Sequence, residues 1–130
     1  MKPVAISENH LYSKVYKNGR KFVGRCIVFY ALADRKAIAF QKANPEKLKI
    51  NRLGITVTRK IGDAVVRNRV KRILREGWRL VNKEYRLKCG FLVVIVARDS
   101  AVTAKTDDIK ADLIKACKML DMLEACHKED

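Results

Sequence analysis

The residues best suited to chemistry lie in one segment, residues 59–80, which has the sequence RKIGDAVVRNRVKRILREGWRL. Plotted at about 3.6 residues per turn, this segment forms an amphipathic helix whose apolar residues share one side. The opposite side is an almost continuous cationic surface, hereafter the basic arc, formed by Arg67, Asn68, Lys71, Arg72, Arg75 and Arg79. Cationic side chains at this density bind phosphate groups, which makes the segment a candidate nucleic-acid interface.

The alternative interpretation of the basic arc is an ordinary solvated helix face. Such a face interleaves both signs, because acid–base pairs at i, i+4 stabilise a helix and like charges at that spacing destabilise it by about 0.2–0.5 kcal/mol. Here only Asp63 and Glu76 interrupt the positive charge. A polyanionic partner would relieve the repulsion, so the pattern favours binding to nucleic acid.

The whole chain has the same bias. Its 130 residues include 29 Lys and Arg against 14 Asp and Glu, which gives a formal net charge of +15. This length predicts a single domain, residues 1–130, with a modest core. The longest apolar run, residues 91–97, is too short to span a bilayer, and the N-terminal sequence MKPVAISENH lacks the apolar core of a signal peptide. We therefore expect a cytoplasmic protein with no membrane partner and no small-molecule substrate.

The sequence contains no recognisable catalytic constellation. It lacks the nucleophile motif G-x-S-x-G, the zinc motif H-E-x-x-H and a Walker loop, and neither His10 nor His127 lies in a known catalytic pattern. Clustered acids that could hold catalytic divalent cations are also missing. The cysteines, whose spacings do not match a zinc site, are Cys26, Cys89, Cys117 and Cys126. We predict no catalytic residue, no metal or cofactor bound by protein side chains, and buried, reduced cysteines with one exposed thiol near the C-terminus.

Hydrophobic periodicity predicts an α+β fold. In chain order, the predicted elements are a helix over 7–17, strands over 25–32 and 52–58, the basic helix over 59–80, a strand over 91–97 and a helix from Thr106. The expected architecture is a single compact α/β sandwich, in which helices cover a small mixed sheet of three to four strands. Residues 37–41 fit a brief extra strand, and Asn44-Pro45 predicts a turn.

Local signals predict where these elements begin and end. Asn18 and Gly19 form a stop signal for the first helix. Asp63 is the predicted N-cap or first-turn acid of the basic helix, and Thr106 is the predicted N-cap of the last helix, followed by two first-turn aspartates. Gly77 lies on the apolar side of the basic helix, where its missing side chain permits close packing.

Aromatic residues form a second candidate interface. Tyr12 and Tyr16 are i, i+4 neighbours on one face of the first helix, and Val28 and Tyr30 share one face of the first predicted strand. Aromatic rings beside a basic surface can stack on unpaired bases, at about 1–3 kcal/mol per base. The same rings could instead pack the helix onto the sheet, and the residues alone leave both interpretations open.

The basic segment resembles the signature of the protein subunit of bacterial ribonuclease P, in which a basic helix follows a Lys-x-Gly turn. The matching residues are Lys60, Gly62, Ala64, Val65, Arg67, Asn68, Arg69, Lys71, Arg72, Arg75 and Glu76. The segments LYSKVYKNGR, CIVFYAL, NRLGITVTRK and FLVVIVAR are similar to the first helix and the strands of that family. The resemblance covers most of the chain outside the first few residues, residues 35–49 and the C-terminal tail. Residues 35–49 form a longer connection than is usual in the family.

The resemblance implies a small domain that binds the catalytic RNA of ribonuclease P and helps it remove the 5′ leader from precursor tRNA. The chemistry would then depend on Mg²⁺ used by the RNA subunit, and the protein alone would be inactive. The implied contacts with the catalytic RNA are Lys60, Arg67, Asn68, Arg69, Lys71, Arg72 and Arg75. The implied cleft for the single-stranded leader consists of Tyr12, Tyr16, Val28 and Tyr30. The resemblance also implies a left-handed strand–helix–strand crossover through the basic helix, whereas general statistics predict the right-handed form.

Two other functions fit the basic composition. One is an RNA-binding module like those of ribosomal proteins, without a catalytic partner. The other is a DNA-binding protein that places the basic helix in a major groove. A predicted strand precedes the basic helix, so the sequence lacks an obvious helix-turn-helix partner for DNA binding.

Overall fold

The computed structural model describes residues 4–6, 8–43 and 51–123. The strands are β1 (Val4–Ala5), β2 (Arg20–Val23), β3 (Ile27–Ala33), β4 (Arg52–Thr56) and β5 (Phe91–Ala97). The helices are α1 (Asn9–Asn18), α2 (Arg35–Ala43), α3 (Ala64–Glu84) and α4 (Thr106–Met119), with short 3₁₀ turns at Arg59–Ile61 and Asp99–Val102. The predicted turn at Asn44-Pro45, and also Cys126 and His127, lie outside the described residues.

A mixed sheet organises the fold, with the strand order β1-β4-β5-β3-β2. Strands β1, β4 and β5 are parallel, whereas β3 runs antiparallel to β5 and β2 runs antiparallel to β3. This confirms the predicted α+β fold with a mixed sheet. The four longer strands agree with the predicted three to four, and the two-residue β1 adds a fifth at one edge.

Residues 37–41, predicted as a brief strand, instead belong to α2. Their apolar alternation is too short to distinguish a strand from a helix. The sequence RKAIAFQKA is rich in Ala, Lys and Gln, which have high helix propensity, and the helix extends on both sides of the alternating residues. The strand prediction there was wrong because local propensity prevailed over a short period-2 pattern.

Helices cover both faces of the sheet. On one face, α3 and α4 pack against alternate strand residues that include Phe29 of β3 and Ile95 of β5. On the other face, α1 packs Leu11 and Val15 in a cluster with Val94 of β5. Strand β5 is therefore covered on both faces, as its uninterrupted apolar sequence predicts.

The β4–α3–β5 connection joins two parallel neighbouring strands, and its hand follows from the chirality of Leu53. The Leu53 side chain lies in the cluster that faces α3, and its carbonyl accepts a 3.0 Å hydrogen bond from the Ile6 N–H beside β1. Viewed from α3 with β4 running upward, the carbonyl of such an L-residue points to the right. Strand β1 is then on the right and β5 on the left, so the crossover is left-handed. It is an exception to the right-handed rule that about 98% of such connections obey.

Helix α3 begins at Ala64 and not at residue 59, because a 3₁₀ turn and Gly62 precede it. Gly62 has a φ of 154°, a backbone conformation that favours glycine. The Asp63 carboxylate then accepts a 3.0 Å hydrogen bond from the Val66 N–H, which confirms Asp63 as the N-cap.

Helices α3 and α4 approach closely at Gly77, as predicted. A Cβ at this position would lie 2.8 Å from Cγ2 of Ile109, so any larger residue would force the two helices apart. Thr106, the predicted N-cap of the last helix, is instead the first helical residue of α4, and the N-cap is Lys105. The Lys105 backbone N–H donates to the Asp108 carboxylate at 2.9 Å, which stabilises the first turn.

A buried ion pair joins the end of β3 to the start of β4. Asp34 is only 2% exposed, and its carboxylate accepts hydrogen bonds from Arg52 at 2.7 Å through Nε and at 3.1 Å through Nη2. These hydrogen bonds raise the pKa of Arg52. Arg52 also contacts Glu8, the N-cap residue of α1, at 3.5 Å. The pair therefore links α1 to the two strands beneath it.

The cysteines differ in exposure. Cys26 and Cys117 are buried, which confirms the prediction for these two, whereas Cys89 is exposed. Burial raises the pKa of the Cys26 thiol, and it raises the pKa of Cys117 to about 12. Among residues 4–6, 8–43 and 51–123, no helix is both long and apolar enough to cross a membrane.

We expect a short pulse of an alkylating reagent at about pH 8 to modify Cys89 and spare Cys26 and Cys117, because only the thiolate reacts. Peptide mass spectrometry measures the modification at each cysteine. As a control, the same pulse in urea should modify all three. Rapid alkylation of Cys117 in the native protein would contradict the packing of α4 on the sheet.

Candidate nucleic-acid interface

The basic arc lies on the side of α3 that faces away from the sheet. Asn68, Arg72, Arg75 and Arg79 are exposed, and Arg67 and Lys71 are half-buried. The opposite side of the helix is apolar and packs on the sheet and on α4, so these charges remain at the surface as predicted. The arrangement presents a row of cations to solvent along a 21-residue helix.

One member of the basic arc has an acidic partner. Glu76 accepts two hydrogen bonds from Arg79, at 2.9 Å and 2.6 Å, and these raise the pKa of Arg79 and lower that of Glu76. Arg72 and Arg75 lie on the same exposed surface. A phosphate at Arg79 would have to compete with the Glu76 carboxylate, which makes the centre of the arc the stronger anion site.

Positive charge also gathers at the start of α3. Lys60 is exposed in the 3₁₀ turn beside Arg59, and the Arg67 side chain donates from Nε to the Asp63 carbonyl at 3.4 Å. The Asp63 carboxylate caps this helix end and offsets part of the positive charge there. The exposed side chains of Arg59 and Lys60 in the turn before the helix can still contact a phosphate group.

Arg69 differs from the other predicted contacts because its guanidinium has partners inside the protein. Nη1 donates to the Val102 carbonyl at 3.0 Å and Nη2 donates to the Ala104 carbonyl at 2.9 Å. The helical wheel leaves Arg69 outside the basic arc, and only the resemblance places it among the RNA contacts. The geometry favours a structural role, in which Arg69 attaches the segment before α4 to the side of α3.

The tyrosines predicted to bind the leader come together on the opposite face of the sheet. The Tyr16 and Tyr30 rings meet edge to face with centroids 5.1 Å apart, and the Tyr12 and Tyr16 centroids are 6.5 Å apart. Tyr16 is 40% exposed, while Tyr12, Val28 and Tyr30 are half-buried. These four residues lie together where α1 packs on the sheet, and this site is hereafter called the tyrosine groove.

Tyr12 is held more tightly than Tyr16. Its ring lies against Gly54 of β4, where a Cβ would come within 2.6 Å of the ring atom Cε1. Burial and the neighbouring Tyr16 raise the pKa of Tyr12, and a hydrogen bond from the Ile55 backbone partly offsets them. Tyr12 therefore packs α1 onto the sheet, and Tyr16 is the most exposed of the three rings.

The strand register adds residues that sequence reasoning missed. Lys21 of β2 lies opposite Tyr30, and Val23 lies opposite Val28. On the other side of β3, Val96 of β5 lies opposite Val28, and Thr56 of β4 lies opposite Val96. Paired residues share a sheet face, so the members of these rows lie on the same face as the groove. Period-2 alternation could have grouped residues within each strand, but only the pairing shows which strands are neighbours.

Strand β4 and the turn after it connect the two surfaces. Thr56 ends β4, and its hydroxyl lies 2.7 Å from the Tyr16 hydroxyl in the groove. The chain then continues through Lys60 to the start of α3. Within residues 4–6, 8–43 and 51–123, no cluster of three His, Cys, Asp or Glu side chains could hold a metal ion.

Comparisons with known proteins agree on one family. Residues 1–121 match the family described as Ribonuclease P. The Ribonuclease P protein component of Clostridium botulinum (strain Langeland) is 35% identical over 118 residues, which cover 91% of this chain and 95% of that protein. The protein of the same name from Caldanaerobacter subterraneus is 37% identical over 113 residues, covering 87% and 85%. The structure of the Staphylococcus aureus RNase P protein superposes with a TM-score of 0.72 at 25% identity, covering 95% of this chain and all of that one. The chain therefore belongs to the family of ribonuclease P protein components.

Proposed function

We propose that this chain is the protein subunit of a ribonuclease P ribonucleoprotein. It binds the catalytic RNA through the basic arc and the 5′ leader of precursor tRNA through the tyrosine groove. In this way it assists the endonucleolytic cut that gives the mature tRNA 5′ end. The observation that carries the proposal is the presence of two unlike surfaces on opposite faces of one sheet, in a chain that belongs to this family.

The basic arc has the chemistry needed to bind a structured RNA. Arginines such as Arg72 and Arg75 can bind phosphate in a bidentate manner or stack on a base, whereas Lys71 offers a point charge. Asn68 can both donate and accept hydrogen bonds toward a base edge or a ribose hydroxyl. Phosphate contacts set the orientation of the protein on the RNA, which is the task of a subunit that supplies no catalytic residue.

The tyrosine groove has the chemistry needed to bind a single strand. Tyr16 and Tyr30 offer aromatic surface for unstacked bases, Val28 extends the apolar floor, and Lys21 lies beside Tyr30 for a backbone phosphate. A duplex would not expose bases to these rings. The groove therefore favours the unpaired leader over the folded body of the tRNA.

The first prediction concerns the division of labour between protein and RNA. Protein alone should not cleave precursor tRNA at any Mg²⁺ concentration, since we assign the reaction to Mg²⁺ bound by the RNA subunit. Protein mixed with a bacterial ribonuclease P RNA should accelerate cleavage at low Mg²⁺. Gel analysis of the 5′ end measures both reactions, with the RNA alone as control. Cleavage at the mature 5′ end by RNA-free protein would contradict the proposal, and co-purification with ribosomal subunits alone would favour a ribosomal module.

The second prediction separates the basic arc from the structural arginine beside it. Arg72→Ala should weaken binding to the catalytic RNA and reduce the slope of log affinity against log salt by about one unit, without changing thermal stability. Arg69→Ala should lower the free energy of unfolding by about 1–3 kcal/mol, because the Val102 and Ala104 carbonyls lose their donors. Filter binding at several salt concentrations and urea unfolding measure the two effects.

Arg86→Ala is the matched control for both arginine variants, because Arg86 is exposed just beyond the end of α3. It should leave both the salt slope and the unfolding free energy near their original values. An unchanged slope in Arg72→Ala would show that the basic arc faces something other than the RNA.

The third prediction concerns the leader. Tyr16→Ala should weaken holoenzyme binding to precursor tRNA by about 1–3 kcal/mol, the value of one base stack, and should leave binding to mature tRNA unchanged. Tyr12→Ala should instead destabilise the protein and weaken binding to both ligands, because Tyr12 packs on Gly54. If folded Tyr16→Ala protein loses affinity equally for precursor and mature tRNA, Tyr16 has a packing role and does not bind the leader.

A further inference from the structure

Tyr16 is exposed, yet contacts from two sides hold its ring in place. On one side, the Tyr16 and Tyr30 rings meet edge to face, with an interplanar angle of 75°. At its far end, the Tyr16 hydroxyl forms a 2.7 Å hydrogen bond with Oγ1 of Thr56. Tyr30 belongs to β3 and Thr56 to β4, and β5 lies between these strands. The ring therefore bridges the strands on either side of β5.

This hydrogen bond links residues 40 positions apart in the sequence, across an exposed site. Exposed hydroxyl groups can bond to water when a partner is removed, so the bond adds little to the stability of the fold. Its main effect is on the side chain itself, because without it the Tyr16 ring is held only by its ring contacts and can change rotamer more easily. The bond therefore fixes orientation more than it stabilises the protein.

Orientation matters at this position. A base can stack between or upon the Tyr16 and Tyr30 rings only if their arrangement persists in the free protein. A ring that is already ordered does not lose its rotamer freedom on binding, and each such loss weakens an interaction about three- to tenfold.

We propose that Thr56 is a positioning residue for leader binding: its hydroxyl holds the Tyr16 ring edge-on to Tyr30, so that the groove is ordered before the leader arrives. This inference rests on the proposed function of the tyrosine groove. Thr56 acts through Tyr16 and need not touch the RNA. Of the two hydroxyl protons of Tyr16 and Thr56, only one is used in the bond between them, and the other can donate to solvent or to a ligand.

The test uses holoenzyme reconstituted with a bacterial ribonuclease P RNA, and precursor tRNA and mature tRNA as ligands. Thr56→Val keeps the shape and strand propensity of threonine but removes the hydroxyl. Tyr16→Phe keeps the ring and removes the hydroxyl that bonds to Thr56. Each should raise the Kd for precursor tRNA about three- to tenfold and leave that for mature tRNA unchanged. The double variant should lose no more than either single variant, because both remove the same hydrogen bond.

Two further variants make the result specific. Thr56→Ser restores a hydroxyl at the same position and should recover most of the affinity. Thr58→Val is the matched control, since Thr58 is exposed two residues later and its side chain makes no capping hydrogen bond. It should leave both Kd values unchanged.

The outcomes separate this inference from the proposed function. If Thr56→Val leaves the Kd for precursor tRNA unchanged while Tyr16→Ala raises it, the groove binds the leader and the positioning role of Thr56 is wrong. If Thr56→Val raises the Kd for both tRNAs equally, the residue acts through the fold and the inference is overturned. The same conclusion follows if the effects of Thr56→Val and Tyr16→Phe on the Kd for precursor tRNA add up in the double variant. If Tyr16→Ala has no effect on precursor tRNA, leader binding in this groove fails as well.

Discussion

Burial of β5 on both faces is the constraint on which the rest of the structure depends. One face must be covered by α3 and α4 and the other by α1, because the strand is apolar throughout. Covering β5 in this way places the basic arc and the tyrosine groove on opposite sides of a layer only one sheet thick. The two RNA contacts proposed above would therefore lie on separate surfaces of a protein of only 130 residues.

The second constraint is the charge on α3. A helix with this many like charges is unfavourable alone, so its stability comes from the apolar side, where Val70, Leu74 and Val81 are fully buried. Asp63 adds a cap at the N-terminal end, and Glu76 compensates Arg79 locally. Within the part of the chain that the structure describes, no ion pair joins Arg72 or Arg75 to an acidic side chain, so the centre of the arc is the stronger site for a polyanion.

Sequence patterns predicted the elements that a local rule determines. Strand β5 matched its predicted bounds, because a central strand is a continuous apolar run, and Asp63 capped α3 because few residue types can. Strand β2 was not predicted, since an exposed edge strand with the sequence RKFV has little apolar alternation. The partners of Arg69 could not be predicted either. They depend on where the chain returns 33 and 35 residues later, and no local pattern contains that information.

The two tyrosines of α1 show the same limit within the candidate site. They are identical in type, lie on one helix face and were assigned one role from the sequence, yet their environments differ because of the strand beneath them. At Gly54 the missing side chain lets the Tyr12 ring lie on the backbone of β4, whereas two residues later Thr56 meets Tyr16 with a hydroxyl group. A glycine beneath one ring and a threonine beside the other thus separate a half-buried packing residue from an exposed one. The difference arises from the residues of β4, and only the pairing of β4 with β5 beneath α1 shows which residue lies next to each tyrosine.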